Sequence, residues 1–485
     1  MPALHTPTAV EDPVRPLSFC RRATVALAAA LLAGCASVPP DPGFAQVAGA
    51  VKSGTGGDLA WLRSADDQAA IDRQVAGLLA RELSSEGAVQ VALWNHRGLQ
   101  ARLHGLGLTH AEVLKATRPP NPSLGLGRMK KGDEIEIERG LHLDLARWLL
   151  LPWTAPMEVR RLEREQRDTA QAVLSIAAEA RRAWVMAVAA QEALAHQQQV
   201  LEAAAAAAEL ARRMEQAGNF NRLQRAREQA FQADAALGLA RAEQARRSAR
   251  ERLARALGLW GAQLDFRLPA RLPDLPAQPR EAPDIEREAM AQRLDVQAAR
   301  LDLERKAQAL GLTRATAGLE VLELGLMRNS GTGEPRETGW EIGLELPLFD
   351  RPAHRQERAR LAWAQAREQA AQRAIDARSE VREAYGQYRI AHDIARHHRE
   401  ELVPLVRRIA DEQLLRYNGM LIGVFELLAE TRAQIASVQA AIEAQRDFWL
   451  ADAELRAAMV GAAGREAAPA PSAAGGTRPA AGGGH

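Results

Sequence analysis

The chain has 485 residues, 47% of them apolar, 26% charged and only 4% aromatic. Length alone would allow about three domains of roughly 150 residues each. Ala, Leu, Arg, Glu and Gln dominate for hundreds of residues, however, which is the profile of long helices and not of α/β enzyme domains. With 63 basic against 61 acidic residues there is no basic field for nucleic acid, and after the N-terminal region no apolar run reaches the roughly 18 to 20 residues of a spanning helix.

Arg21 and Arg22 form a positive n-region, and Ala23 to Leu32 an apolar core too short to span a membrane but long enough for a secretory signal. It ends in Leu32-Ala33-Gly34-Cys35, which resembles the lipobox of bacterial lipoproteins. That resemblance implies cleavage before Cys35 and a lipid anchor, palmitate included, on Cys35. Ala36 in place of Asp implies the outer membrane. Residues 1–34 are then a lipoprotein signal peptide and 35–87 a lipid-anchored extension. Cys20 is lost with the signal, so the mature chain holds one cysteine and neither an internal disulfide nor a thiolate metal cluster.

The rest reads as one pattern twice, 88–258 and 285–462, separated by a Pro-rich linker at 259–284 and followed by an Ala-, Pro- and Gly-rich tail at 463–485 that composition marks as disordered. Each copy has a short helix, two strands (about 121–149 and about 318–349), a very long helix, a tight turn and a further helix. In the first copy the helices are expected over Ala88 to Thr117, Pro156 to Ala217, and on to Gly258; Pro119 and Pro120 end the first, and Gly218-Asn219 make the turn. In the second copy they are expected over Ile285 to Ala315, Ala353 to Tyr417 and Val424 to Val460. A helix of about 62 residues is roughly 93 Å long, nearly the length of the other two helices of a copy placed end to end. Each copy can therefore supply one full rod and two half rods, with Ala-rich faces for close approach and Arg and Glu at i,i+4 on the wet faces.

The strands carry the functional signal. Ile135, Ile137, Leu141, Leu143 and Leu145 alternate with Glu134, Glu136, Glu138, His142 and Asp144. Trp340, Ile342, Leu344, Leu346 and Leu348 alternate with Glu341, Gly343, Glu345 and Pro347. Strict alternation over about ten residues is the pattern of a transmembrane β-barrel strand, apolar outward and polar inward. Their partners are Ser123 to Met129 and Leu319 to Met327, the latter shifting phase near Val321 as a bulge would. Lys130 to Asp133 and Asn329 to Gly333 supply the hairpin turns. Trp148, Trp153, Trp340 and Phe349 fall where an aromatic girdle belongs. A half-buried soluble sheet shares this alternation, but two separated hairpins cannot easily bury both apolar faces. Four strands with free edges cannot stand in lipid, so a barrel requires several chains. Three would supply twelve strands.

The order of these features resembles the TolC-like outer-membrane efflux proteins over nearly the whole mature chain. The carrying segments are Pro120-Asn121-Pro122-Ser123-Leu124 entering the first strand and Leu344-Glu345-Leu346-Pro347-Leu348-Phe349-Asp350 leaving the last. Ala217-Gly218-Asn219 stands at the first helical turn, and Arg416-Tyr417 leads to Glu426-Leu427-Leu428 past the second. The fold class implied is mainly α with a membrane β-barrel portion: duplicated helical hairpins and four strands per chain, three chains forming a twelve-stranded barrel and a twelve-helix tunnel. The function implied is the exit duct of a tripartite efflux system, a homotrimer among outer-membrane lipids docked to a periplasmic adaptor and an inner-membrane pump. The sequence departs from the family at Met420, where a turn Gly is usual; Gly419 and Gly423 flank it and can supply φ > 0. Gln224 and Ala429 also stand where acidic residues are common.

Glu134, Glu136, Glu138, Asp144, Glu323, Glu341 and Glu345 are expected to face the lumen and favour cations, opposed by Arg128, Lys130 and Lys131 near the outer mouth. The turns farthest from the strands form the periplasmic gate and adaptor-docking tips: Gly218, Asn219, Phe220, Arg222, Gln224 and Arg225, with Tyr417, Met420 and Glu426. Because the copies alternate around the tunnel, an Arg of one copy is expected to pair with Glu426 of the next and hold the mouth narrow, with Phe220, Leu421 and Phe425 as the apolar alternative. No catalytic constellation, phosphate loop or nucleophile elbow is present, and no cofactor is implied. His392, His397 and His398 lack metal-ligand spacing and read as solvated. A periplasmic adaptor-type coiled-coil lipoprotein is the alternative function; it gives the amphipathic strands no role.

Overall fold

The computed structural model describes residues 41, 43–316, 322–344 and 352–463. The signal segment, Cys35, Val321, Glu345, Phe349 and the tail from 464 lie outside them. In chain order the elements are α1 (Phe44–Thr55), α2 (Ala65–Leu79), α3 (Ser85–Asn95), α4 (Arg97–Ala116), β1 (Ser123–Lys131), β2 (Glu134–Asp144), α5 (Leu145–Gln216) and α6 (Arg222–Leu257). The second half follows with α7 (Ile285–Gln292), α8 (Leu294–Ala315), β3 (Leu322–Gly331), β4 (Glu337–Leu344), α9 (Pro352–His397), α10 (Val403–Asn418) and α11 (Val424–Val460). The fold is mainly helical with one four-stranded antiparallel sheet, as the sequence implies.

Four helices differ from expectation, each for a local reason. The short helix of each half is two helices, broken at His96 (φ −70°, ψ 112°) and at Arg293 (φ −62°, ψ 119°). Each break packs against the glycine that ends the same half: Gly258 (φ 70°) and Gly461 (φ 76°). Asn95 Nδ2 donates to Gly258 O at 2.8 Å. A Cβ on Gly258 would lie 2.9 Å from His96 Cα, and one on Gly461 would run into the Asp295 carboxylate. The bend is thus matched to a residue that must lack a side chain.

Helix α5 starts at Leu145, not Pro156. Asp144 Oδ1 accepts from Arg147 N at 2.9 Å and caps it. The helix then continues through Pro152 and Pro156, each of which removes one intrahelical bond. Leu145, Trp148 and Trp153 are consequently helical and not strand residues. The helix has 72 residues, about 108 Å of rod. The matching helix of the second half is not continuous. It passes through a π turn, His398–Leu402, before α10. Pro404 in the first turn of α10 has no N–H to give back to the preceding turn, which favours a change of helical register there.

Small residues set the close packing of α5, with Ala170, Ala177, Ala180, Ala183, Ala187 and Ala204 all buried. The extension contributes two helices that composition did not announce. Val47 and Val51 of α1 join Leu99, Leu103, Leu106 and Val173; Ile71, Val75 and Leu79 of α2 join Trp184, Val188 and Leu253. The Pro-rich linker is a strap bound to the helices through its backbone carbonyls and N–H groups. Gln445 Nε2 and Trp449 Nε1 donate to Pro273 O at 2.7 and 3.0 Å, and Tyr388 Oη accepts from Arg280 N at 3.0 Å. His392 lies under this strap, 1% exposed, with Nε2 3.0 Å from Pro276 O and its ring edge-on to Phe448. It is a buried core histidine, contrary to the solvated reading from sequence.

Candidate functional site

The sheet order is β1-β2-β3-β4, so β2 and β3 pair across nearly two hundred residues and β1 and β4 are the two edges. Register decides which residues share a face, because directly paired residues point the same way. Gly127 pairs with Glu138 and Glu138 with Asn329; Asp144 pairs with Glu323 and Glu323 with Gly343; Gly325 pairs with Glu341. Glu134, Glu136, Glu138, Asp144, Glu323 and Glu341 therefore share one face, joined by Glu337 opposite Asn329. Sequence reading missed Glu337 because it started the last strand too late; carrying the alternation back from Glu341 and Gly339 finds it. Asp144 has a second task as the cap of α5, so one of its oxygens is committed to the backbone. Glycines on this face make room for larger neighbours. A Cβ on Gly325 would come within 3.2 Å of the His142 ring.

The opposite face carries Leu124–Leu141–Leu326–Trp340 in one row and Leu143–Leu324–Ile342 in the next. Leu124, Leu126, Trp340 and Ile342 are 68%, 72%, 69% and 54% exposed. An apolar area of that extent on a folded chain marks a membrane or protein contact. Exposed Trp148, Leu149 and Trp153 extend it onto the first turns of α5. No helix among the described residues is long and apolar enough to cross a membrane. One expectation is corrected here: Arg128 pairs with Ile137 and Lys130 with Ile135, so both lie on the apolar face, and only Lys131 shares the carboxylate face.

The two helical turns lie at the other ends of α5 and α10. At the first, Gly218 takes φ 78° and Asn219 N donates to Met214 O at 2.8 Å, ending α5. Asn221 then starts α6 with a capping box: Asn221 Oδ1 accepts from Gln224 N at 2.9 Å, and Gln224 Oε1 accepts from Asn221 N at 2.7 Å. Gln224 is thus occupied by the backbone. Arg225 pairs with Glu215 at 2.6 Å inside the same turn, Arg222 is exposed, and Glu426 is exposed with no ion pair to either. Within the chain Arg225 is thus taken by Glu215 on the facing helix. Nearly two turns further up α5, Arg212 and Arg213 hold the Glu209 pKa at about 2.

At the second turn Met420 itself adopts φ 59° and is 93% exposed. Gly419 (φ −81°) and Gly423 (φ −84°) do not supply the left-handed residue, which corrects the expectation drawn from their position. The turns are joined by a stack of Phe220 on Phe425, centroids 4.7 Å apart and 10° from parallel, over a small core of Ala211, Val424, Met214 and Tyr417. Leu421 instead stands in solvent, 78% exposed. Above the stack, Glu228 is 1% exposed and receives both its contacts from Arg432 Nη2, each 2.7 Å. The Arg432 guanidinium also lies 4.5 Å from the centre of the Phe231 ring. This buried pair, which spacing could not reveal, ties α6 of the first half to α11 of the second.

No protein-family model matches the sequence, and no curated protein matches it. Solved structures do match in three dimensions. The outer membrane channel CmeC of Campylobacter jejuni aligns with TM-score 0.64 at 16% identity, over 79% of this chain and 86% of that one. The outer membrane channel MtrE of Neisseria gonorrhoeae, in its open state, aligns with TM-score 0.65 at 17% identity, over 77% and 88%. The outer membrane protein VceC of Vibrio cholerae gives 0.63 at 14% identity, over 81% and 96%. The chain has the TolC-like outer-membrane channel fold.

Proposed function

We propose that this chain is one protomer of a homotrimeric exit duct in the outer membrane, passing substrates outward from the periplasm. The observation that carries this reading is the sheet: one face apolar and exposed, the other lined by carboxylates, and both edge strands unpaired. Exposed edges in lipid leave backbone groups unsatisfied. Joining β4 of one protomer to β1 of the next closes twelve strands and removes every edge. The long helices then continue the barrel as a twelve-helix periplasmic tunnel, and the turns at Gly218 and Met420 form its mouth. An adaptor docks at these turns and an inner-membrane pump supplies the energy. The carboxylate face makes the barrel prefer cations, and Cys35 carries the lipid anchor. The adaptor-type alternative leaves the sheet unexplained.

Purified protein in detergent should run as a trimer and open cation-selective single channels in a planar bilayer. A monomer without conductance would overturn the duct. Ile342→Arg, on the lipid face, should cost the trimer about 2 to 4 kcal/mol if near the midplane, while Glu341→Gln should leave its stability unchanged and reduce cation preference.

A further inference from the structure

The apolar face of the sheet does not stay apolar to its end. Towards the hairpin turns it carries a row Leu126–Arg139–Arg328–Thr338, then Arg128 opposite Ile137 in the next row. Arg139 and Arg328 are direct cross-strand partners, and like charges in that position repel at a strand spacing of about 4.8 Å. Every acidic residue of the described strands lies on the other face, so none offsets them. Arg139 reaches only the Ser330 hydroxyl, at 3.5 Å. All three arginines are exposed.

We infer that this row binds the phosphates of a phosphorylated, multiply acylated glycolipid in the outer leaflet. The inference rests on the barrel reading. If the sheet stands in a membrane, arginine is costly at mid-depth and tolerated at the interface, so the row marks the outer edge of the apolar belt. Arg139 stands about 17 Å along β2 from the helix end, on the side of the Gly132 turn. A planar guanidinium accepts phosphate bidentately, and an anion between Arg139 and Arg328 converts their repulsion into attraction to a shared partner. The leucine row beneath gives acyl chains a surface directly below the phosphates, which a free phosphate would not use. The cations spread over three strands, about 10 Å, wide enough for a headgroup bearing two phosphates.

The test is native mass spectrometry of the intact trimer after delipidation and titration with a purified diphosphorylated acyl-glycolipid. The wild type should retain it, and the combined variant Arg128→Gln, Arg139→Gln, Arg328→Gln should retain about tenfold less while staying trimeric and conducting. Lys131→Gln, on the carboxylate face, should bind like the wild type. Equal retention by the triple variant, or equal retention of the dephosphorylated glycolipid or of phosphatidylglycerol, would overturn the inference. A conducting wild-type trimer that retains no glycolipid overturns the row alone; failure to form a conducting trimer overturns the barrel reading beneath it.

Discussion

The two halves of the molecule share a plan and close it with different chemistry. In the first half the bend in the short helix sits at His96, sealed by neutral contacts from Asn95 to Gly258. In the second it sits at Arg293, which is 2% exposed and bonded to Asp295 at 2.7 and 3.0 Å, to Glu380 at 2.6 Å and to Ala458 O at 3.1 Å. The tips differ in the opposite sense. The first has a glycine in the left-handed position, a capping box and an internal ion pair. The second has Met420 in that position, no side-chain cap at Gly423, and a π turn interrupting its long helix. The second half is therefore tied at its bend by buried charge and left irregular towards its tip.

The largest test of this contrast is at the bends. Arg293→Ala leaves buried Asp295 with only the longer ion pair to Arg373, at 3.9 Å, and should cost about 3 to 5 kcal/mol, whereas His96→Ala removes a cap and should cost about 1 kcal/mol. Denaturant unfolding of the detergent-solubilised trimer measures both; equal losses would erase the distinction between a charged and a neutral seam. Next are the glycines behind the bends. Gly258→Ala meets backbone atoms in a left-handed conformation, at a cost of about 2 to 4 kcal/mol. Gly461→Ala presses instead on Asp295, so its cost should couple to Asp295→Ala in a double-mutant cycle, and Gly258→Ala should not.

At the tips the expected effects are smaller and opposite in sign. Gly218→Ala should destabilise by about 1 to 2 kcal/mol, the penalty of a Cβ in the left-handed region. Met420→Gly should relieve that penalty and stabilise, by less than about 1 kcal/mol after the extra freedom of glycine in the unfolded chain is counted. Thermal melts of the two variants moving in the same direction would show that the turns are equivalent after all.

The smallest effect is a pH response of the first half. Burial lowers the pKa of His96 and of His196 below the usual 6.5. Their contribution is present above the unfolded value and is lost as the pH falls through the lower folded values. Burial raises Asp168 and Glu192, so their contribution runs the other way: it is present in acid and lost as pH rises through the raised values. Arg293, at the corresponding bend, stays charged throughout. Hydrogen exchange at about pH 7.5 and about pH 5 should show α3 and α4 loosening before α7 and α8, and His96→Asn, which keeps the cap acceptor, should remove the difference. Uniform loosening of both halves would discount His96 as its source.

The sequence by itself determined what depends on near neighbours. A period of two placed carboxylates and leucines on opposite faces of the strands, and local turn chemistry ended α5 at Gly218 and began α11 after Gly423. Those signals survive because a strand's faces and a helix's caps are fixed by residues within a few positions. The tertiary structure alone decided which polar groups found partners. Asn95 meets Gly258 across 163 residues and Glu228 meets Arg432 across 204. Arg225 takes Glu215 from the facing helix, and His392 is buried by a strap more than a hundred residues earlier in the chain. The register across β2 and β3 likewise set Arg139 beside Arg328. Each outcome turns on distances through space between elements, and a buried or paired charge leaves no periodic mark in its own segment.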